Sequence, residues 1–171
     1  MHIEQVDHVK LRGFFFIPTL TTSTHINNLI AVMNQRVCLL KQLRKQGHDI
    51  RGVTQRFIGL VVARFHYALP AIVGQMLVND LNRIDAIFSK AFRRQLISIV
   101  PTAADIVDNA DKKTIPLCSH LHPFFIHHML PPIQNAHGRF LRFKGHGRVL
   151  PIAKNERYKN SFLIRCLYRY A

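Results

Sequence analysis

VCLLKQLRKQGHDIRGVTQRFIGLVVARFHYALPAIVGQMLVNDLNRIDAIFSKAFRR, residues 37–94, carries the strongest fold signal in the chain. It reads as the end of a basic amphipathic helix, a nearly all-apolar helix stopped at Tyr67-Ala68-Leu69-Pro70, and a helix with a row of cations. Extended backwards, the first helix is predicted over about 26–46. At about 100° per residue Ile26, Leu29, Ile30, Met33, Val37, Leu40 and Leu43 share one face, with Asn27, Asn34, Lys41 and Lys45 opposite. Ser23 or Thr24 is the expected cap and Gly47 the expected stop. The second helix, about 53–68, has apolar residues around its whole circumference, the pattern of a helix buried on all sides. Gly59 in its interior costs on the order of 1 kcal/mol against Ala, so close packing by a neighbour is expected there. Pro70 ends it. The third helix is predicted over about 80–96, capped by Asp80, with Leu81, Ile84, Phe88, Ala91 and Phe92 inward and Arg83, Lys90 and Arg94 within roughly 40° of one another on the far side.

Outside this block the signals are shorter. Residues 8–17 read as a strand, with Val9 and Leu11 alternating with Lys10 and Arg12 before an aromatic run that Pro18 closes. Thr102 with Asp105 opens a short helix that should end before Pro116. Residues 121–130 suggest another helix, closed by Pro131-Pro132. Beyond Ile133 glycines and Pro151 interrupt the pattern, leaving an irregular tail with a short helix near 161–170. The expected organisation is three segments, 1–25, 26–100 and 101–171.

A chain of 171 residues is long enough for one domain with a real core, and 48% hydrophobic residues argue against wholesale disorder. Its charge is unusual: 24 Lys and Arg against 9 Asp and Glu give +15. Self-repulsion of that size is offset most naturally by a polyanion, with nucleic acid first and an anionic membrane surface second. Residues 112–171 hold eleven of the cations and one acid, Glu156. Three widely spaced cysteines do not make a disulfide scaffold, and the N-terminus lacks a signal-peptide layout. No apolar stretch is expected to reach the roughly 20 residues that cross a bilayer. The chain therefore reads as intracellular, with no membrane partner.

No catalytic constellation emerges. Two-metal polymerase chemistry needs closely placed Asp residues on adjacent strands, whereas Asp105, Asp108 and Asp111 are spaced three apart on a predicted helix, where capping and solvation account for them. Six of eleven histidines (His120, His122, His127, His128, His137 and His146) cluster near Cys118 without the paired-cysteine spacing of a zinc site. No catalytic residue and no metal ligand is expected, and no cofactor in this chain.

An ordered series of elements resembles the end of the palm, the thumb and the tail of reverse transcriptases from non-LTR (LINE-type, jockey-like) retrotransposons. Lys10-Leu11-Arg12-Gly13-Phe14 is similar to the family's K-L-L-G-V element, although Arg12 stands where an apolar residue is usual. Leu39-Leu40-Lys41-Gln42-Leu43-Arg44, Tyr67-Ala68-Leu69-Pro70-Ala71, Arg83-Ile84-Asp85 and Lys90-Ala91-Phe92-Arg93 resemble the thumb. Ala104-Asp105-Ile106-Val107-Asp108-Asn109-Ala110-Asp111 is similar to its D-L-x-D-x-A-D run. His127-His128-Met129-Leu130-Pro131-Pro132 resembles H-H-L-L-P-P. Leu141-Arg142, Gly145-His146 and Leu150-Pro151, then Lys159-Asn160-Ser161-Phe162 and Arg165-Cys166-Leu167-Tyr168, follow the family's closing pattern.

The resemblance implies a mainly α fold: an N-terminal β strand or hairpin remnant over 1–25, a three-helix thumb-like bundle over 26–100, and an irregular, basic, His-rich tail over 101–171. It implies a fragment that grips a primer-template duplex, with Lys10, Arg12, Gly13, Lys41, Lys45, Arg83, Lys90 and Arg94 on RNA or an RNA·DNA duplex. Phosphate contacts of that kind carry register and affinity but no base sequence. In the family, Gly13 would let the backbone approach a sugar-phosphate closely. The Y-x-D-D palm element is absent, so a divalent metal is expected only in the missing palm, the missing fingers and palm of the parent polymerase are an implied partner, and the chain alone is expected to be inactive. Two other readings stay open: a small basic RNA-binding or ribosome-associated protein, and a non-functional pseudogene product.

Overall fold

Arg12 and Gly13 turn the predicted strand back on itself. Both take positive φ, 48° and 88°, the backbone of a two-residue I′-type hairpin turn, so the aromatic run pairs antiparallel with the residues before it. The computed structural model describes residues 6–19, 21–67, 69–120, 129–133 and 148–169, with backbone alone over 114–120. The elements are β1 (Val9–Leu11), β2 (Phe14–Phe16), α1 (Ser23–Lys45), α2 (Ile50–Phe57), a π-helical turn (Ile58–Val62), α3 (Ala63–His66), α4 (Leu69–Ile72), a 3₁₀ turn (Val73–Gln75), α5 (Val78–Arg93), α6 (Ala103–His120), α7 (Glu156–Lys159) and α8 (Phe162–Arg169). The mainly α class expected from periodicity is what forms. Two compact units share these elements: residues 1–69 with 76–107, and residues 70–75 with 108–171.

The first unit is a three-helix bundle with the hairpin. α1 buries Ile26, Leu29, Met33, Val37 and Leu40, five of the seven residues predicted for that face. It stops as expected: the amides of Gly47 and His48 reach back to the carbonyls of Arg44 and Leu43, and Gly47 takes φ 88°, which together make a Schellman cap. Its start differs, because Thr22 rather than Ser23 or Thr24 occupies the cap, without a side-chain capping bond.

The second helix departs most from expectation. It is not buried all round. Val53, Phe57, Val61 and Phe65 form one buried stripe at intervals of four, while Ile58, Leu60 and Tyr67 are exposed. On a pure α-helix such a stripe drifts by roughly 40° at each step. The wider π turn over Ile58–Val62 takes up the drift and keeps Val61 and Phe65 on the core side. Gly59 lies in that turn, exposed, with nothing within 4 Å of where a Cβ would be, so no close neighbour explains it. Arg36 donates to the carbonyl of Leu60 beside it. The helix ends at Tyr67, whose ψ of 121° is extended; Pro70 instead sits in the first turn of α4, where its missing amide costs little. By length and composition the 26-residue run Ile50–Gln75 suffices to cross a bilayer, at mean hydropathy 1.6, contrary to the sequence reading. Its buried stripe serves the bundle core.

α5 starts at Val78 after Leu77, so Asp80 is not its cap but a buried first-turn residue paired with Arg83 at 3.2 Å. Ile84, Ile87, Phe88 and Ala91 face inward; Phe92, predicted inward, is exposed, and Ile87 takes its place. Phe88 meets Phe57 and Phe65 edge-on at 6.2 and 6.3 Å, tying α5 to both halves of the second helix. Asn27 pairs with Arg83 and Asn34 with Lys90, each across 56 residues, and that constant offset means α1 and α5 run parallel. α2 runs back between them, with Thr54 donating to the carbonyl of Leu96.

α6 opens as predicted, with the Asp105 amide on the Thr102 hydroxyl at 3.1 Å, and Asp85 accepts from the Ala103 amide at 2.6 Å. It then continues to His120, through Pro116. In the second unit α8 forms near its expected place and buries Ile164, Cys166 and Leu167. Asp111, expected to be solvated, is fully buried and held by Arg165 at 2.9 Å and Arg169 at 3.9 Å. Gly74 is required here, since a Cβ would fall 1.9 Å from the Asn160 carbonyl oxygen. The helix predicted over 121–130 falls mostly outside the described residues, as do the side chains of all six clustered histidines and of Cys118.

Candidate nucleic-acid interface

Six of the nine carboxylates are engaged within the fold. Asp49 caps α2 by accepting from the Arg51 amide. Asp80 holds Arg83, Asp85 caps α6, and Asp105 takes the Thr102 hydroxyl. Asp108 pairs with Lys112 and Arg169, and Asp111 with Arg165. Structural duties leave few acids to neutralise the surface.

The direction of the helices then sorts the cations. α1 and α5 end, and α2 begins, at the same end of the bundle. Lys41, Arg44 and Lys45 lie in the closing turns of α1, Arg51 and Arg56 on α2, and Arg93 and Arg94 at the close of α5. Asp49 is the only carboxylate on those three helix ends, and its oxygen already serves the Arg51 amide. Lys45, Arg51, Arg56 and Arg93 are exposed; Lys41 and Arg94 are half-buried. Among the described residues none of these six makes an ion pair. Arg44 turns back to the His48 carbonyl. Cations in the last turns of α1, α2 (Arg56) and α5 also suit the helix dipoles, worth about 0.3–1 kcal/mol each at an exposed site, but Arg51, in the first turn of α2, has no such role. A cavity of about 330 Å³ beside Arg51 is lined by Ile50, Arg51, Thr54, Gln55, Ile58 and Ser98.

The residues singled out from sequence do not form one row. Lys41 and Lys45 belong to the basic end, with Arg94. Arg83 and Lys90 are committed to the α1–α5 seam, Arg83 to Asn27 at 2.9 Å and Lys90 to Asn34 at 3.2 Å. Lys10, Arg12 and Gly13 are on the hairpin, whose turn lies beside Tyr67 and hence by the last turn of α3, away from the basic end. Lys10 lies over the Phe15 ring at 5.4 Å. The turn itself accounts for Gly13 through its φ, and nothing lies within 4 Å of the site of its Cβ. Arg51, Arg56 and Arg93 escaped sequence reading because nothing in their spacing joins them; the fold does.

A second cluster sits at the hairpin. Phe14 stacks on His25 at 4.3 Å and on Tyr67 at 5.7 Å, and the Tyr67 hydroxyl donates to the Arg12 carbonyl at 3.3 Å. Burial, and then the Arg64 guanidinium, push the His25 imidazole below its ordinary pKa. Among the described residues no group of three His, Cys, Asp or Glu side chains is arranged to hold a metal ion. Compared with protein-family models, curated proteins and solved structures, the chain shows no match.

Proposed function

We propose that the basic end of the bundle grips a nucleic-acid duplex, in the manner implied by the resemblance to a non-LTR reverse-transcriptase thumb, with RNA or an RNA·DNA duplex as the partner. The observation that supports this reading is the convergence of Lys41, Lys45, Arg51, Arg56, Arg93 and Arg94 at helix ends whose single carboxylate is occupied. Cations that make no ion pair among the described residues can neutralise phosphates and release the counterions condensed on a duplex. Contacts of this type set position and affinity and leave base sequence unread. The chain's contribution to an RNA-directed DNA polymerase is then to hold the substrate, with no catalytic carboxylate of its own.

The test is neutralisation of four exposed members, Lys45→Gln, Arg51→Gln, Arg56→Gln and Arg93→Gln together, none of which enters the core. Fluorescence anisotropy with a blunt RNA·DNA duplex should show weaker binding and a log–log salt slope shallower by about 0.9 for each phosphate that the variant leaves unneutralised. Equal affinity and slope in variant and parent would remove the basic end from the account.

A further inference from the structure

The other end of the bundle carries an aromatic feature that phosphate gripping does not use. Tyr67 is pinned in two ways: its hydroxyl bonds the Arg12 carbonyl, and its ring stacks on Phe14, which in turn stacks on His25. Even so it remains 50% exposed. A ring fixed at its hydroxyl and by one stacked neighbour has its remaining surface ready, with little further entropy to lose. The surroundings are cationic. Arg12 is exposed in the turn beside it, and Arg64 lies on α3 near enough to His25 to act on its imidazole. The hairpin's one described carboxylate, Asp7, is at its opposite, open end. Leu11 and Phe16 leave further apolar surface open on the same hairpin.

We propose that Tyr67 is the outer ring of a stacking platform for an unpaired base of single-stranded nucleic acid, with Arg12 and Arg64 flanking it for the adjoining phosphates. Every base has a π face, and stacking on an aromatic side chain is sequence-tolerant, so the site favours strandedness over sequence. Charge decides the occupant, because an apolar and aromatic surface ringed by arginines suits a polyanion's bases better than a neutral peptide. This inference rests on the reading of the basic end only in placing both ligands on one substrate. α1, with 23 residues, spans about 34 Å between the two sites, roughly ten base steps of duplex.

The experiment uses the whole chain and two probes, a blunt RNA·DNA duplex of about twelve base pairs and the same duplex with a five-nucleotide uridine overhang. The overhang should tighten binding about tenfold, and 5-iodouracil placed in it should photocross-link to Tyr67. Tyr67→Phe, which keeps the ring, should retain the tenfold increment. Tyr67→Leu, which loses the same hydroxyl bond but also the ring, should lose it while blunt-duplex affinity stays the same. An overhang without effect in the parent chain, or an increment equal in Tyr67→Leu, overturns the platform and leaves the basic end untouched. Cross-linking confined to residues away from Tyr67 would likewise overturn it. Loss of blunt-duplex binding by the four-site variant, tested separately, reports on the grip alone.

Discussion

Lys90→Met separates a cation that holds the fold together from one that holds a ligand. Lys90 donates to Asn34 Oδ1 at 3.2 Å, and Asn34 in turn donates to the Ile30 carbonyl at 3.0 Å, so the ammonium closes a short chain of bonds across the α1–α5 seam. Methionine keeps most of the stem and removes only the charge and its bond. A hydrogen bond to a charged group is worth about 1.5–3 kcal/mol. Lys90 is half-buried, so the lower part of that range applies, about 1.5–2 kcal/mol. For a protein of this size about 1 kcal/mol lowers the thermal midpoint by roughly 2–4 °C. Duplex binding should be nearly untouched, because the ammonium is engaged on Asn34 and not held out toward phosphate. Calorimetry and salt-dependent anisotropy on the same preparation read both quantities. A variant with unchanged thermal midpoint and a salt slope shallower by about 0.9 would make Lys90 a phosphate contact and not a seam residue.

The core and the second unit offer further tests. Phe88→Ala should cost about 3–5 kcal/mol in urea denaturation, because the ring is fully buried against Phe57 and Phe65, while Phe92→Ala, at an exposed position, should cost well under that. Asp111→Ala leaves Arg165 and Arg169 without a buried carboxylate, a loss of about 3–5 kcal/mol that hydrogen exchange should register as weaker protection over Phe162–Arg169. His25, whose folded pKa lies below the ordinary 6.5, favours the neutral ring in the fold; the unfolded chain takes up the proton more readily. Its contribution is therefore complete above about pH 6.5 and is lost as pH falls below that value. The stability of His25→Phe minus that of the parent should accordingly grow between about pH 7 and pH 5, and a flat difference would contradict the assignment.

Local chemistry was readable in the sequence and long-range partnership was not. Gly47 marked the end of α1 because only a left-handed residue completes that cap, and the spacing of Ile26, Leu29, Met33, Val37 and Leu40 fixed its inner face. Thr102 and Asp105 announced α6 because a threonine hydroxyl can accept an amide of the first helical turn. The π turn was hidden, since Val53, Phe57, Val61 and Phe65 fit no pure α period and the surrounding apolar residues blurred the stripe. Arg83 and Lys90 read as a solvent row because the asparagines that take them lie 56 residues away. Asp80 resembled a cap in sequence, yet its carboxylate serves Arg83. The tail shows the same pattern: Asp111 and Arg165, each within a segment that carries the family resemblance, meet as a buried pair that no local spacing reveals. The basic end likewise depends on two helices running parallel, a property of the whole bundle.

Whether the basic end neutralises duplex phosphates shows in the parent chain's affinity for a blunt RNA·DNA duplex at rising salt. Six cations that make no ion pair among the described residues, each on one phosphate, predict a log–log slope near −5 and a loss of about 10³-fold in affinity between roughly 50 and 200 mM salt. Affinity that is constant over that range, or absent at its low end, contradicts the account.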